Sequence, residues 1–252
     1  MDTNRRGFLS AMGRVSIGAA ATVAGAGQSA KAATDPAATD PGPHWGMVVD
    51  LRKCIGCQAC TVACIMENDV PEDSFRTHVS VYEVLQDRGD PAMVMLPRLC
   101  NHCDNPPCVP VCPVEATFKV EGTGEVLVDA SRCVGCAYCV QACPYDARFI
   151  NHETQTADKC TFCFHRTSAG LLPACVETCV GGARNFGDLN DPDSEVARML
   201  RDNPVSVLRP EMHTNPNVYY IGLDEVLDGR VAGEAAYRPP LTTPPHVHGE
   251  DA

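Results

Sequence analysis

The residues equipped for chemistry in this chain are its cysteines, sixteen among 252 residues, and they fall into four groups. The first is Cys54-x2-Cys57-x2-Cys60-x3-Cys64, and the second is Cys100-x2-Cys103-x4-Cys108-x3-Cys112, followed by Pro113. The third is Cys133-x2-Cys136-x2-Cys139-x3-Cys143, followed by Pro144; the fourth is stretched to Cys160-x2-Cys163-x11-Cys175-x3-Cys179. Thiolates are soft ligands, so four recurring sets of four point to a soft metal or a metal–sulfur cluster.

The third group has the spacing of the bacterial ferredoxin run, which holds a [4Fe–4S] cluster. Two residues between thiolates let the backbone curl until three sulfurs converge on one cubane. Gly56 and Gly135 each precede the second cysteine of their run, where a missing side chain allows close approach and a positive φ. The fourth cysteine follows a wider gap, expected at the start of a short helix, with Pro113 and Pro144 at a position that needs no N–H. So placed, it turns from its own run and serves the neighbouring cluster. Three other chemistries compete. Structural zinc uses Cys-x2-Cys pairs in fours, but has no need of a third and fourth cysteine in this rhythm. A disulfide scaffold suits an even count and an oxidising compartment, yet predicts scattered spacings. A three-iron cluster would require a missing cysteine, and every expected position is filled.

The chain repeats itself. Val49 to Cys57, VDLRKCIGC, recurs as VDASRCVGC from Val128 to Cys136, and all four cysteines of the run keep the same 79-residue offset. Pro107-Cys108-x3-Cys112 likewise echoes Ala174-Cys175-x3-Cys179. The expected fold is therefore α+β, with two nested bacterial-ferredoxin-like modules of βαββαβ ancestry. Residues 46–66 and 158–187 form the outer module, residues 67–157 the inner one, and each binds two clusters.

The elements that must position these sulfurs are short. Gly and Pro number 20 each and aromatics are 6%, with Trp45 the single tryptophan, so turns outnumber long elements and clusters must replace bulk at the centre. Strands are expected around Met47–Val49 and Glu125–Val128. A β-hairpin is expected from His78–Leu85 and Met93–Leu96 about Asp87-Arg88-Gly89-Asp90. A helix over Ser194–Arg201 is capped by Ser194, and Asn217–Leu223 reads as a strand. Residues 188–236 form a C-terminal extension and residues 237–252 a Pro-rich tail, disordered or laid along a partner.

The amino terminus reads as an address. Asn4-Arg5-Arg6-Gly7-Phe8-Leu9, the weakly apolar stretch Val15–Ala26 and Ala30-Lys31-Ala32 resemble a twin-arginine export signal over residues 1–32, with cleavage after Ala32 and a linker over 33–45. Proteins taking that route cross already folded, so clusters are assembled in the reducing cytoplasm before reaching the periplasm. The segment carries a net charge of +3 within a chain of −12. An acidic chain without a basic stripe is unsuited to nucleic acid. No run of eighteen apolar residues follows, so no membrane span is expected.

Lys53, Arg132 and Lys159 each precede a group's first cysteine, and a cation there raises a cluster's potential unless water solvates it. His102 and His165 lie within cysteine groups, as hydrogen-bond donors to a cluster or as filler. Nothing resembles a nucleophile with its base, a phosphate loop or a catalytic carboxylate pair.

Leu96 to Cys108, LPRLCNHCDNPPC, resembles the iron–sulfur subunits of the molybdopterin oxidoreductases of the dimethyl sulfoxide reductase type. Asp50 to Cys60, Arg132 to Cys163 and Gly170 to Cys175 are similar to the beta-subunit family of tetrathionate reductases. That resemblance implies an electron-transfer subunit with four [4Fe–4S] clusters and no catalysis of its own. Its implied partners are a molybdopterin-containing catalytic subunit and a membrane-anchoring, quinol-oxidising subunit, which alone touches the membrane. Carried over, the ligand sets are Cys54, Cys57, Cys60 and Cys179; Cys64, Cys160, Cys163 and Cys175; Cys100, Cys103, Cys108 and Cys143; and Cys112, Cys133, Cys136 and Cys139. Groups one and four depart slightly, with Ile65 and Val180 where proline would follow. Because the partner reads the substrate, polysulfide, thiosulfate, sulfite and hydrogenase systems remain open, as do a free-standing ferredoxin and an exported disulfide-rich module.

Overall fold

A computed structural model describes residues 42–85 and 90–223. The segment expected to be an export signal, its expected cleavage site, most of the linker, the tip of the hairpin, residues 224–236 of the C-terminal extension and the Pro-rich tail lie outside them.

Trp45–Asp50 forms strand β1. Its apolar run Met47, Val48 and Val49 is wholly buried, as befits a strand covered on both faces. It is central in a four-stranded sheet of order β8-β1-β10-β9, where β8 is Arg184–Asp188, β9 Val205–Ser206 and β10 Val218–Ile221. β1 runs parallel to β10 and antiparallel to β8. The sheet thus joins the residues before the first cysteine group to those after the last. Helix α5, Glu195–Asp202, covers one face with Val196 against Val48 and Ile221. The Ser194 side chain caps it by accepting from the Ala197 N–H at 3.1 Å, in agreement with the sequence.

The hairpin forms as expected but longer: β2, Thr77–Leu85, pairs antiparallel with β3, Pro91–Leu99, from Thr77↔Leu99 to Leu85↔Pro91. Tyr220 on β10 donates its hydroxyl to the Pro97 carbonyl at 3.0 Å, tying hairpin to sheet. Two smaller ribbons follow: β4 (Thr117–Lys119) with β5 (Val126–Val128), and β6 (Arg148–Ile150) with β7 (Ala157–Lys159). The architecture is mixed α+β with many turns.

The internal repeat is also a backbone repeat. Gly56 and Gly135 have φ of 70° and 68°, and Gln58 and Ala137 have φ of 61° and 62°. Each left-handed pair reverses the chain and launches a helix: α1 at Ala59–Asn68 and α2 at Tyr138–Gln141. The helices differ in length for a local reason. Pro144 stands where Ile65 stands in α1, and it can neither donate to the helix nor clear the preceding turn. So α2 stops after four residues, whereas α1 continues for ten.

One expectation is corrected. The fourth cysteine of a group does not begin a helix. Cys64 lies inside α1, Cys143 follows α2, and Cys179 follows the short helix α4, Ala174–Glu177 (α3 is Phe164–Thr167). Cys112 closes a turn, its N–H donating to the Val109 carbonyl at 3.1 Å. In groups one and three the helix starts earlier, at the left-handed Gln58 or Ala137 before the third cysteine, and Pro113 and Pro144 lie in turns.

Candidate iron–sulfur centres

All sixteen thiols are free, nine of them buried, with only Cys57 and Cys136 exposed. Cys60, Cys100, Cys160 and Cys175 belong to the main core together with Met47, Val79, Leu96, Phe162 and Tyr220. The sulfurs therefore occupy the centre that the lean aromatic content leaves unfilled.

Two groupings are seen as cavities. Cys54, Cys57, Cys60 and Cys179 line one, beside Gln58, Val79, Pro97 and Arg184. Cys64, Cys160, Cys163 and Cys175 line another, beside Met47, Asn68, Thr77 and Phe162. A third grouping is electrostatic: Cys100, Cys108 and Cys143 surround Cys103 and disfavour its ionisation. Cys64 thus leaves its own run to join group four, and Cys143 leaves its run to join group two. Of Cys112, Cys133, Cys136 and Cys139, Cys133 and Cys139 share a small apolar core with Val126 and Ala157.

Backbone N–H groups face the sulfurs, as a cluster's anionic ligands require. Ala116 donates to Cys112 Sγ and Ala183 to Cys179 Sγ, both at 3.2 Å, and Ala157 donates to Cys133 Sγ at 3.3 Å. Close approach depends on glycine. A Cβ on Gly135 would lie 2.3 Å from the Gln155 carbonyl oxygen, and one on Gly181 would lie 2.4 Å from that of Lys53.

Burial works against bare thiolates. It pushes the thiols of Cys64 and Cys103 up to about 12 and that of Cys175 to about 11. Cys160 is raised by burial and by Cys64, Cys175 and Cys100. At Cys112 burial would raise the thiol, but the N–H groups of Thr117, Val114 and Ala116 outweigh it and leave it lowered. Four such sulfurs ionise together only when a cation shared among them offsets the charge, with release of protons.

A single metal ion does not fit. Zinc needs its ligands within about 2.3 Å of one point, and among the described residues no three His, Cys, Asp or Glu side chains are so placed. Sulfurs gathered in fours and met by amide donors suit a cubane.

The flanking cations separate clearly. Lys53 and Arg132 are half exposed, with 54% and 50% side-chain accessibility, so water solvates them. Lys159 is buried, and its ammonium donates to the Cys160 carbonyl at 2.7 Å and also to that of Val126. His165 is exposed and pairs with Glu67 at 2.9 Å. His102 is buried, stacked on Phe162 with ring centroids 3.7 Å apart, and its Nδ1 accepts from the Val126 N–H. Its Nε2 is buried with no protein partner among the described residues.

Sequence reasoning missed Arg148 and Arg184. Arg148 donates to Cys108 Sγ at 3.0 Å and Arg184 to Cys175 Sγ at 3.8 Å. Each stands five residues after the last cysteine of its group, but Asp69 and Thr117 hold that place after groups one and two, so the spacing alone does not mark them.

The fold and these sulfurs define an iron–sulfur protein, and comparison with known proteins agrees. Residues 53–116 and 91–189 each match a family described as a 4Fe-4S dicluster domain. The B subunit of tetrathionate reductase from Salmonella typhimurium is 55% identical over 93% of this chain and 94% of its own length. The Archaeoglobus fulgidus protein of the same name is 45% identical over 73% of this chain and 85% of its own. The iron-sulfur B subunit of a putative dimethyl sulfoxide reductase from Halobacterium salinarum is 40% identical over 74% of this chain and 82% of its own. The chain belongs to this family of iron–sulfur subunits, and it is an electron-transfer rather than a catalytic component.

Proposed function

We propose that the chain carries four [4Fe–4S] clusters and passes electrons from a membrane-anchored, quinol-oxidising subunit to a molybdopterin catalytic subunit that reduces tetrathionate to thiosulfate. When bound, each cluster supplies reversible one-electron storage. The ligands are the four sets carried over from the family. The observation that carries the reading is the crossed grouping, in which Cys64 joins Cys160, Cys163 and Cys175 while Cys179 joins Cys54, Cys57 and Cys60. The 79-residue repeat extends the pattern to Cys112, Cys133, Cys136 and Cys139.

The groupings also suggest an order. Cys100 is an electrostatic neighbour of Cys160, so the second and third sets adjoin, with the first and fourth outermost. Each outermost set includes an exposed cysteine, Cys57 or Cys136. The residues exclude water from the middle sets and leave the ends accessible.

Nested modules, each with two clusters, are part of the reading, as is periplasmic location by the twin-arginine route. No helix among the described residues is long and apolar enough to cross a membrane, which fits attachment through a partner. The tetrathionate assignment is supported by the 55% identity across nearly both full lengths. Anaerobic purification should give about sixteen iron atoms and as many acid-labile sulfides per chain, four per cubane. It should also bring down a large subunit that reduces tetrathionate with a reduced dye. A colourless chain with thiols paired as disulfides would sink the reading.

A further inference from the structure

Two arginines stand at the same distance from the last cysteine of a group. Arg148 opens β6 five residues after Cys143, and Arg184 opens β8 five residues after Cys179. They are only 5% and 3% exposed. Arg148 donates through Nη2 to Cys108 Sγ at 3.0 Å and through Nη1 to Thr117 Oγ1 at 3.3 Å. Arg184 donates through Nη1 to Cys175 Sγ at 3.8 Å and through Nη2 to Thr77 Oγ1 at 2.8 Å. Each guanidinium thus grips a sulfur with one arm and a threonine hydroxyl with the other.

Neither has a carboxylate partner within 4.0 Å among the described residues. A buried, uncompensated cation is strongly unfavourable, so its counter-charge must lie in the sulfurs. Those sulfurs straddle two sets in each case. Arg148 has Cys108 and Cys100 of the third set and Cys139 of the fourth around it. Arg184 has Cys175 and Cys160 of the second set and Cys60 of the first.

We propose that Arg148 and Arg184 are tuning residues, each a fixed positive charge at the junction of two clusters. Each raises the reduction potential of both, most of all that of the cluster whose cysteine it hydrogen-bonds. The inference rests on the four-cluster reading.

Reduction adds one negative charge to a cluster already negative, and a neighbouring cation in a dry interior favours that reduced form. A guanidinium cannot be deprotonated in a protein, so its contribution persists across the working pH range. A charge at the junction also lessens the penalty for holding electrons on two adjacent clusters at once.

The test is a redox titration of the iron-loaded full-length chain followed by electron paramagnetic resonance. Arg148→Gln keeps an N–H for Cys108 and removes the charge. It should lower the reduction equilibrium constant of one cluster tenfold or more (59 mV for a one-electron couple), lower a second by less, and leave two unchanged. Arg184→Gln should lower the other two. Gln variants that move no midpoint, or a single variant that moves all four equally, would overturn the inference. Should a Gln variant lose a cluster, Arg→Lys at the same position decides. Midpoints held within about threefold in the equilibrium constant support a charge effect, and a tenfold drop despite the retained charge refutes it. A wild-type chain with fewer than four clusters would instead defeat the underlying reading, separately from any arginine effect.

Discussion

The most demanding test of the site's construction is an alanine at Gly135. The backbone there has a φ of +68°, where an L-residue costs about 1–2 kcal/mol. The new Cβ would also lie 2.3 Å from the Gln155 carbonyl oxygen, whereas real Cβ atoms keep at least 3.0 Å, so something must move by about 0.7 Å. The obstacle is backbone and cannot rotate away. Gln155 is held by its N–H to Asn151 and by the Asn151 N–H to Thr156, so the β6–β7 connection must shift as a unit. That movement draws the Ala157 N–H from Cys133 Sγ. Overpacking of this kind costs about 1–3 kcal/mol, so Gly135→Ala should lose about 2–5 kcal/mol in all. Two other glycines provide the scale. Gly122→Ala has φ +85° and open space, so only the conformational cost of about 1–2 kcal/mol applies. Gly56→Ala has φ +70° and meets the Met95 sulfur at 2.7 Å, a thioether that can swing aside, so its loss should fall between the two. Thermal denaturation of iron-loaded protein ranks the three, and iron content with paramagnetic resonance shows whether the Gly135 variant specifically loses the cluster served by Cys133. If Gly135→Ala melts with Gly122→Ala, the close approach to Gln155 is not a constraint and the reasoning fails.

Three further outcomes are expected. Cys112→Ser should damage the cluster of Cys133, Cys136 and Cys139 more than that of Cys100, Cys103 and Cys108; spectra showing loss confined to the latter would reverse the crossing. Burial, followed by Arg98 and Arg184, depresses His78 from its ordinary 6.5 to about 4, so the folded state holds it neutral while the unfolded chain protonates it. Stability is then full above about pH 6.5 and declines as pH falls toward 4, by up to about 3 kcal/mol. Melting curves at the two ends of that window should show His78→Gln losing less than the wild type on acidification, and equal losses would count against the assignment. Ser194→Ala removes the cap of α5 and should cost about 1 kcal/mol, or 2–4 °C in melting temperature, with cluster content unchanged; an unshifted melt would mean the cap is redundant.

The amino-acid sequence alone determined what depends on near neighbours. Cysteine spacing, glycine before the second cysteine and the 79-residue repeat define how each run curls, because backbone reversal over three or four residues is decided locally. The hairpin, the Ser194 cap and strands β1, β5 and β10 were legible for the same reason, through alternation and capping chemistry. Even the different lengths of α1 and α2 follow from one residue, Ile65 against Pro144. Local spacing did not reveal that Cys64 lies within a helix and Cys143 beyond one, since the left-handed residue that starts α1 or α2 is an ordinary Gln58 or Ala137. Tertiary structure alone decided which charges are buried. Lys53, Arg132 and Lys159 look equivalent in sequence, yet only Lys159 is enclosed, because β7 pairs with β6 and packs inward while the other two end exposed turns. Arg148 and Arg184 meet Cys108 and Cys175 only because β6 and β8 carry them back across the core. Charge burial is a property of what folds over a side chain from far along the chain, and no window of neighbouring residues contains it.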